Sequence, residues 1–235
     1  MSERIRRRGP LNPSKTDTPL SLFKRSLPTI VNNIPFIAFF WVSSSALMLI
    51  SFSMRQGMNE AQAQVNQVIF ELIVLFLNIL FLHGLNCRKQ DIELGVGKLL
   101  FEGALLTPGY ILQTIFWILS VLLGATLLVV PGIVAAIIFY FSPVVAVIFP
   151  DYKGKVFSLS KEFFWPSFGR TAAIIISVAL VTYFPMILHL GLTGQMESSW
   201  SWLLIPLNYF LYFTLEVCLF EYVYGFVKEK REALK

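Results

Sequence analysis

Residues 103–150, GALLTPGYILQTIFWILSVLLGATLLVVPGIVAAIIFYFSPVVAVIFP, lie between Glu102 and Asp151 and hold no charged side chain. As one straight helix, these 48 residues would reach about 72 Å, more than twice the roughly 30 Å of bilayer hydrocarbon. They must therefore reverse once. Pro131 and Gly132 mark the reversal, because proline breaks the helical ladder and glycine tolerates turn conformations. Two spans follow, at 109–129 and 132–150. Outward from this stretch, residues 34–54 run uncharged through Phe36, Phe40, Trp41 and Leu47, and 68–86 are apolar apart from Glu71, Asn78 and His83. Residues 171–190 and 200–226 complete a set of six spans.

Composition agrees. Of the 235 residues 56% are hydrophobic and 14% charged, with a mean hydropathy of +0.68, where soluble domains have roughly 45 to 50% and 25%. A water-soluble globule is excluded. The expected class is an all-α, polytopic membrane protein whose six transmembrane helices form three hairpins. A secretory signal peptide is the competing reading of the start, since arginines precede an apolar run with Ser43, Ser44, Ser45 and Ala46. It is outweighed because the run stays apolar to Phe52 and five more spans follow. Residues 1–19 read as a disordered basic tail, 20–227 as the transmembrane domain and 228–235 as a second charged tail. Cys87 and Cys218 make neither a disulfide framework nor a metal-type spacing, so no metal or cofactor is expected.

Eighteen of the nineteen lysines and arginines fall before the first span, in the even-numbered loops or after the last span; only Arg55 does not. The positive-inside rule then puts both termini in the cytoplasm of a bacterial inner membrane. Topology and attraction to anionic head groups account for the net charge of +5, and no nucleic-acid partner is needed. Each hairpin is preceded by a segment of mixed polarity, Leu20 to Asn33, Cys87 to Leu106 and Tyr152 to Gly169, that suits a helix lying in the head-group plane. Ser21, Leu22, Phe23, Lys24 in the first echo Ser158, Leu159, Ser160, Lys161 in the third. Lys24, Arg25, Lys153, Lys155 and Lys161 are the expected head-group contacts. Trp41, Trp165, Trp200 and Trp202 lie near span boundaries and read as interfacial anchors.

Val130, Pro131, Gly132, Ile133, then Ser142, Pro143, Val144, Val145, Ala146, then Ser158 to Lys161 and a further span resemble the pattern of bacterial inner-membrane proteins akin to the glycerophosphodiester phosphodiesterase membrane domain. The resemblance covers residues 128–178. It implies a multi-span protein without hydrolytic chemistry, which in those phosphodiesterases belongs to a separate soluble domain. Many members carry an arginine partway along the span after the Pro-Gly turn, where this chain has Phe139, Tyr140, Phe141. That departure weakens transfer of a head-group-binding role to this span.

Charged side chains inside a bilayer cost about 2.5 to 3.5 kcal/mol at the centre, so each asks for a partner or a cavity. The second and sixth spans run in the same direction, and an offset of 138 puts Asn78 level with Glu216, His83 with Glu221 and Glu71 with Tyr209. Glu71 and Asn78 share one face of their helix, while Asn208, Tyr212 and Glu216 form a stripe at four-residue spacing. The two stripes are expected to face each other in a polar cluster of Glu71, Asn78, His83, Asn208, Tyr209, Tyr212, Glu216 and Glu221. Such a cluster serves either as interhelical hydrogen bonding or as a polar path in which His83 and Glu221 relay protons. Gln113, Trp117, Ser120 and Gly124 form a further stripe, of a kind that permits close helix packing. Pro185 and Pro206 should kink their helices.

No nucleophile, base and orienting group stand together in the sequence, and Gly95 and Gly97 lack the rest of a phosphate-binding fingerprint. The expected protein is non-enzymatic, with a structural, accessory or envelope-maintenance role exercised through membrane lipids, a membrane-protein partner or a second copy of itself. The alternative is a small carrier with a polar path between the second and sixth spans.

Overall fold

The structure, a computed structural model, describes residues 18–55, 57–127, 129–150, 156–164, 168–193 and 201–233. These residues form helices with no strand among them: α1 (Pro19–Asn32), α2 (Ile34–Arg55), α3 (Glu60–Lys89), α4 (Val96–Leu127), α5 (Val129–Phe139), α6 (Ser142–Ile148), α7 (Val156–Phe164), α8 (Phe168–Thr193) and α9 (Ser201–Ala233). Six stretches are long and apolar enough to cross a membrane: α2, α3, α4, the joined α5 and α6, α8 and α9. The protein is an all-α, multi-pass membrane protein. Its lipid-facing surface is apolar, with Phe39, Val68, Leu105, Leu123, Phe184 and Leu203 all exposed. With six spans, the described chain ends and the charged turn between α3 and α4 share one end of the bundle, here termed the basic end.

The two outer amphipathic segments are helices, α1 and α7. Thr18 caps α1 by accepting a hydrogen bond from the Ser21 amide at 3.2 Å, while the Ser21 hydroxyl accepts one from the Thr18 amide at 2.7 Å. Pro19 follows at a position where its missing N–H costs nothing. Leu22 and Ser26 are buried against α9, whereas Leu20, Leu27 and Val31 point outward. The middle segment is not an element of its own. Cys87 to Lys89 complete α3, a short loop follows, and α4 runs unbroken from Val96 through the third span. A helix continuous with the span has no C-terminal carbonyls to satisfy at the head-group level, and only Pro108, with no N–H to give the Ala104 carbonyl, interrupts its ladder.

The reversal inside residues 103–150 falls earlier than Pro131: α4 ends at Leu127 and Pro131 sits in the first turn of α5, where a proline breaks no ladder bond. The break lies further on. α5 stops at Phe139 because Pro143 has no N–H to give the Phe139 carbonyl; the Ser142 hydroxyl donates to that carbonyl instead, at 2.8 Å. α6 then starts with its seven residues all buried, packed against α3, α4, α7 and α9. At its far end Asn86 of α3 donates to the Ile148 carbonyl at 3.0 Å, meeting one of the last-turn acceptors that a helix leaves unpaired. Replacing Asn86 with leucine should destabilise the detergent-purified protein by about 1 to 3 kcal/mol, because that carbonyl then stays buried and unpaired; a thermal-unfolding midpoint equal to that of the unchanged chain would contradict this.

An aromatic core joins α2, α3 and α9. Phe81 stacks on Phe36 at 5.7 Å between ring centroids and meets Phe213 edge-on at 4.9 Å. A methyl group on Gly84 would collide with the Phe36 ring, so glycine is what lets Phe36 lie there. Trp41, read from the sequence as an interfacial anchor, fastens helices instead. Its indole N–H donates to the Pro206 carbonyl at 2.8 Å and its ring packs on Phe210. A buried indole N–H needs such an acceptor where water is absent.

Candidate functional site

Three polar places stand out, at different depths. In the bundle interior, Glu216 of α9 is buried, 6% exposed, and makes no hydrogen bond or ion pair among the described residues. Tyr110 of α4, Tyr140 after α5 and Tyr212 of α9 lie within electrostatic reach of it. Asn78 of α3 reaches the same chamber, donating to the Tyr110 hydroxyl at 3.4 Å. The side-chain carbonyl oxygens of Asn78, Gln113 and Asn208 are buried with no partner among the described residues. Asn78 and Glu216 thus share Tyr110 of α4 as a neighbour, a member that the α3 and α9 stripes alone do not reveal. Because burying an unpaired carboxylate is costly, Glu216→Gln should leave folding stability unchanged or raise it by about 1 kcal/mol. A loss of more than that in a thermal melt would mean that the carboxylate holds the bundle together.

Other members of the expected cluster lie elsewhere. Glu71 is exposed; it accepts from Gln67 one turn away at 2.8 Å and lies within electrostatic reach of Tyr209. His83 and Glu221, level by the sequence offset, turn to different neighbours. His83 Nε2 meets Glu102 of α4 at 2.8 Å, whereas Glu221 accepts from Lys89 and from Thr29 of α1, each at 2.6 Å. A shared depth sets no direction around the helix axis: His83 turns to α4, whereas Glu221 reaches α1 and the last turn of α3. Lys24 and Lys161 are exposed on α1 and α7, and Arg25 is half-buried. Lys153, Lys155, Trp165 and Trp200 lie outside the described residues.

The third place is a crevice of about 1190 Å³ at the basic end, between α1 and α2 on one side and α3 and α4 on the other. Its walls are apolar, with Phe36, Phe39, Leu77, Leu80, Leu99 and Leu100 running into the bilayer region. Its mouth is charged: Arg88, Lys89, Asp91 and Glu93 line it. The loop that carries the acids turns sharply because Asp91 adopts a left-handed backbone, φ 56°, and the Ile92 amide bonds back to the Cys87 carbonyl at 2.9 Å. Lys89 is neutralised by Glu221. Arg88 has no acidic partner among the described residues. Its guanidinium lies 4.4 Å above the Phe36 ring and donates to the Asn33 side chain at 3.3 Å, so most of its donors stay open. Sequence reading passed over Arg88 because it counted the residue only as one more cation of the topology; its position directly after an apolar span and before two acids was the available signal.

No family profile, curated protein or solved structure matches the chain. The crevice is therefore interpreted from its own chemistry. Apolar walls lead to a mouth where Arg88, Asp91 and Glu93 have no ion-pair partner among the described residues.

Proposed function

We propose that the chain is a non-catalytic, multi-pass protein of the bacterial inner membrane, with both termini in the cytoplasm. It serves a structural or accessory role in the envelope by holding a phospholipid in the crevice. The carrying observation is the juxtaposition of apolar walls with Arg88, an open guanidinium suited to a phosphate at their mouth. Asp91 and Glu93 beside it favour a head group that also bears an ammonium, such as an ethanolamine, over a purely anionic one. The excess of cations at the basic end supports the cytoplasmic placement.

Native mass spectrometry of the chain released from mild detergent tests this. A guanidinium–phosphate contact contributes about 1.5 to 3 kcal/mol, so Arg88→Ala should weaken phospholipid binding by about tenfold to a hundredfold, with Arg55→Ala at the opposite end as control. Asp91→Asn with Glu93→Gln should selectively lower the aminophospholipid share. Unchanged lipid occupancy in Arg88→Ala sinks the reading.

A carrier function is the second reading, favoured by the unpaired carboxylate of Glu216 among tyrosine hydroxyls. Proteoliposomes under a proton gradient would then dissipate it faster with the unchanged chain than with Glu216→Gln, and equal rates would remove the carrier from consideration.

A further inference from the structure

We propose that His83, Cys87 and Glu102 form a binding site for a divalent transition cation of zinc's class. The spacing of the cysteines in the sequence suggests no metal centre, yet the fold builds a donor set from two helices. His83 and Cys87 stand one turn apart on one face of α3, and Glu102 faces them from α4. The three donor atoms lie within 4.8 Å of one another. His83 Nε2 is 2.8 Å from Glu102 Oε2 and 3.7 Å from Cys87 Sγ. Zinc bonds of about 2.0 to 2.3 Å in a tetrahedral arrangement place such donors roughly 3.3 to 3.6 Å apart. The histidine–glutamate contact therefore has to open by about half an ångström, while the sulfur already stands near the required distance from the imidazole nitrogen.

The donor chemistry selects the ion. One imidazole nitrogen, one thiolate and one carboxylate suit a borderline cation such as zinc or cobalt and are a poor set for calcium or magnesium, which take oxygen alone. Three protein donors leave a fourth position open, as in zinc sites that exchange or act on a ligand. Lys98 stands 3.7 Å from the second oxygen of Glu102, where it can steady the carboxylate from outside the donor set. Cys87 lines the crevice, which gives the ion a route in. The ion needs the lone pair of His83 Nε2 and the thiolate of Cys87, so binding releases the thiol proton to solvent. Occupancy should accordingly rise with pH. The site is separate from the phosphate contact, because Arg88 is no ligand and the lipid reading needs no metal.

The test uses the full-length chain in detergent, stripped with a chelator and titrated with cobalt(II) alone. One equivalent should bind with a near-ultraviolet sulfur-to-cobalt charge-transfer band. The band should persist in Cys218→Ser, vanish in Cys87→Ser, and require more than about tenfold higher cobalt in Glu102→Gln, since loss of even an outer partner of a ligand has an effect of that size. A chain that binds no stoichiometric cobalt, or a band that survives in Cys87→Ser, overturns the proposal. Should Cys87→Ser fail to fold, alkylation decides. In the Cys218→Ser chain, zinc should slow modification of Cys87 about tenfold or more, and His83→Gln should abolish the protection; a rate indifferent to zinc refutes the site.

Discussion

Valine in place of Gly124 should cost the detergent-purified protein more than about 3 kcal/mol, and alanine about 2 to 3 kcal/mol. The cause is the crossing of α4 and α5. A Cβ at position 124 would lie 2.7 Å from the Gly132 Cα, and one at position 132 would lie 2.8 Å from the Ala125 backbone nitrogen. Backbone faces backbone there, so no side chain can swing aside, and the hairpin must separate along its length. The stripe of Gln113, Trp117, Ser120 and Gly124 thus has the packing role assigned from its spacing, and Trp117 adds a hydrogen bond to the Ala136 carbonyl at 3.0 Å. Gly97 and Gly109 are the controls. Nothing lies within 4 Å of a Cβ built on either, so alanine there should be neutral or slightly stabilising through helix propensity. The measurement is the thermal-unfolding midpoint, and equal midpoints for Gly124→Ala and Gly109→Ala would refute the tight crossing.

Lys89→Met should be the second large loss, about 2 kcal/mol. Glu221 has a side chain only 10% exposed and depends on Lys89 Nζ at 2.6 Å, with the Thr29 hydroxyl as its other donor. Removing one partner of a buried pair leaves a charge uncompensated, which costs about 3 to 5 kcal/mol when both are deeply buried. Here the lysine is 35% exposed, so water offsets part of that. The decisive comparison is the double substitution Lys89→Met with Glu221→Met. With neither charge left to bury, it should recover most of the loss. Additive losses in the double variant would show that the two side chains act independently.

Much of this architecture was legible in one dimension. Forty-eight uncharged residues cannot avoid crossing twice, and cations gathered into alternate loops leave no doubt about which loops share a side. Depth was legible only in part: Asn78 and Glu216 both neighbour Tyr110, yet Phe81 meets Phe213 and Lys89 meets Glu221 at an offset of 132 rather than 138. Direction around each helix was not legible. His83 and Glu221 are level by the offset of 138, but one looks to α4 and the other to α1 and Lys89, because neighbours are chosen by tertiary packing. Glu102 belongs to the His83 and Cys87 face through a turn whose geometry depends on Asp91, and no spacing in the sequence announces that. The break before Ser142 was also hidden. A Ser-Pro pair inside an apolar run reads as a mild kink until the Ser142 hydroxyl is seen filling in for the absent amide of Pro143.

That interruption has a consequence for biogenesis. The fourth span is 61% sheltered within the finished bundle while the third is only 6% sheltered, so a newly made chain must first surrender to lipid a segment that the mature protein keeps for itself. Insertion and full burial are separate events for this stretch: α3 and α4 precede it, but α7 and α9 follow, and quality control in the membrane would meet the half-helix before these last companions arrive.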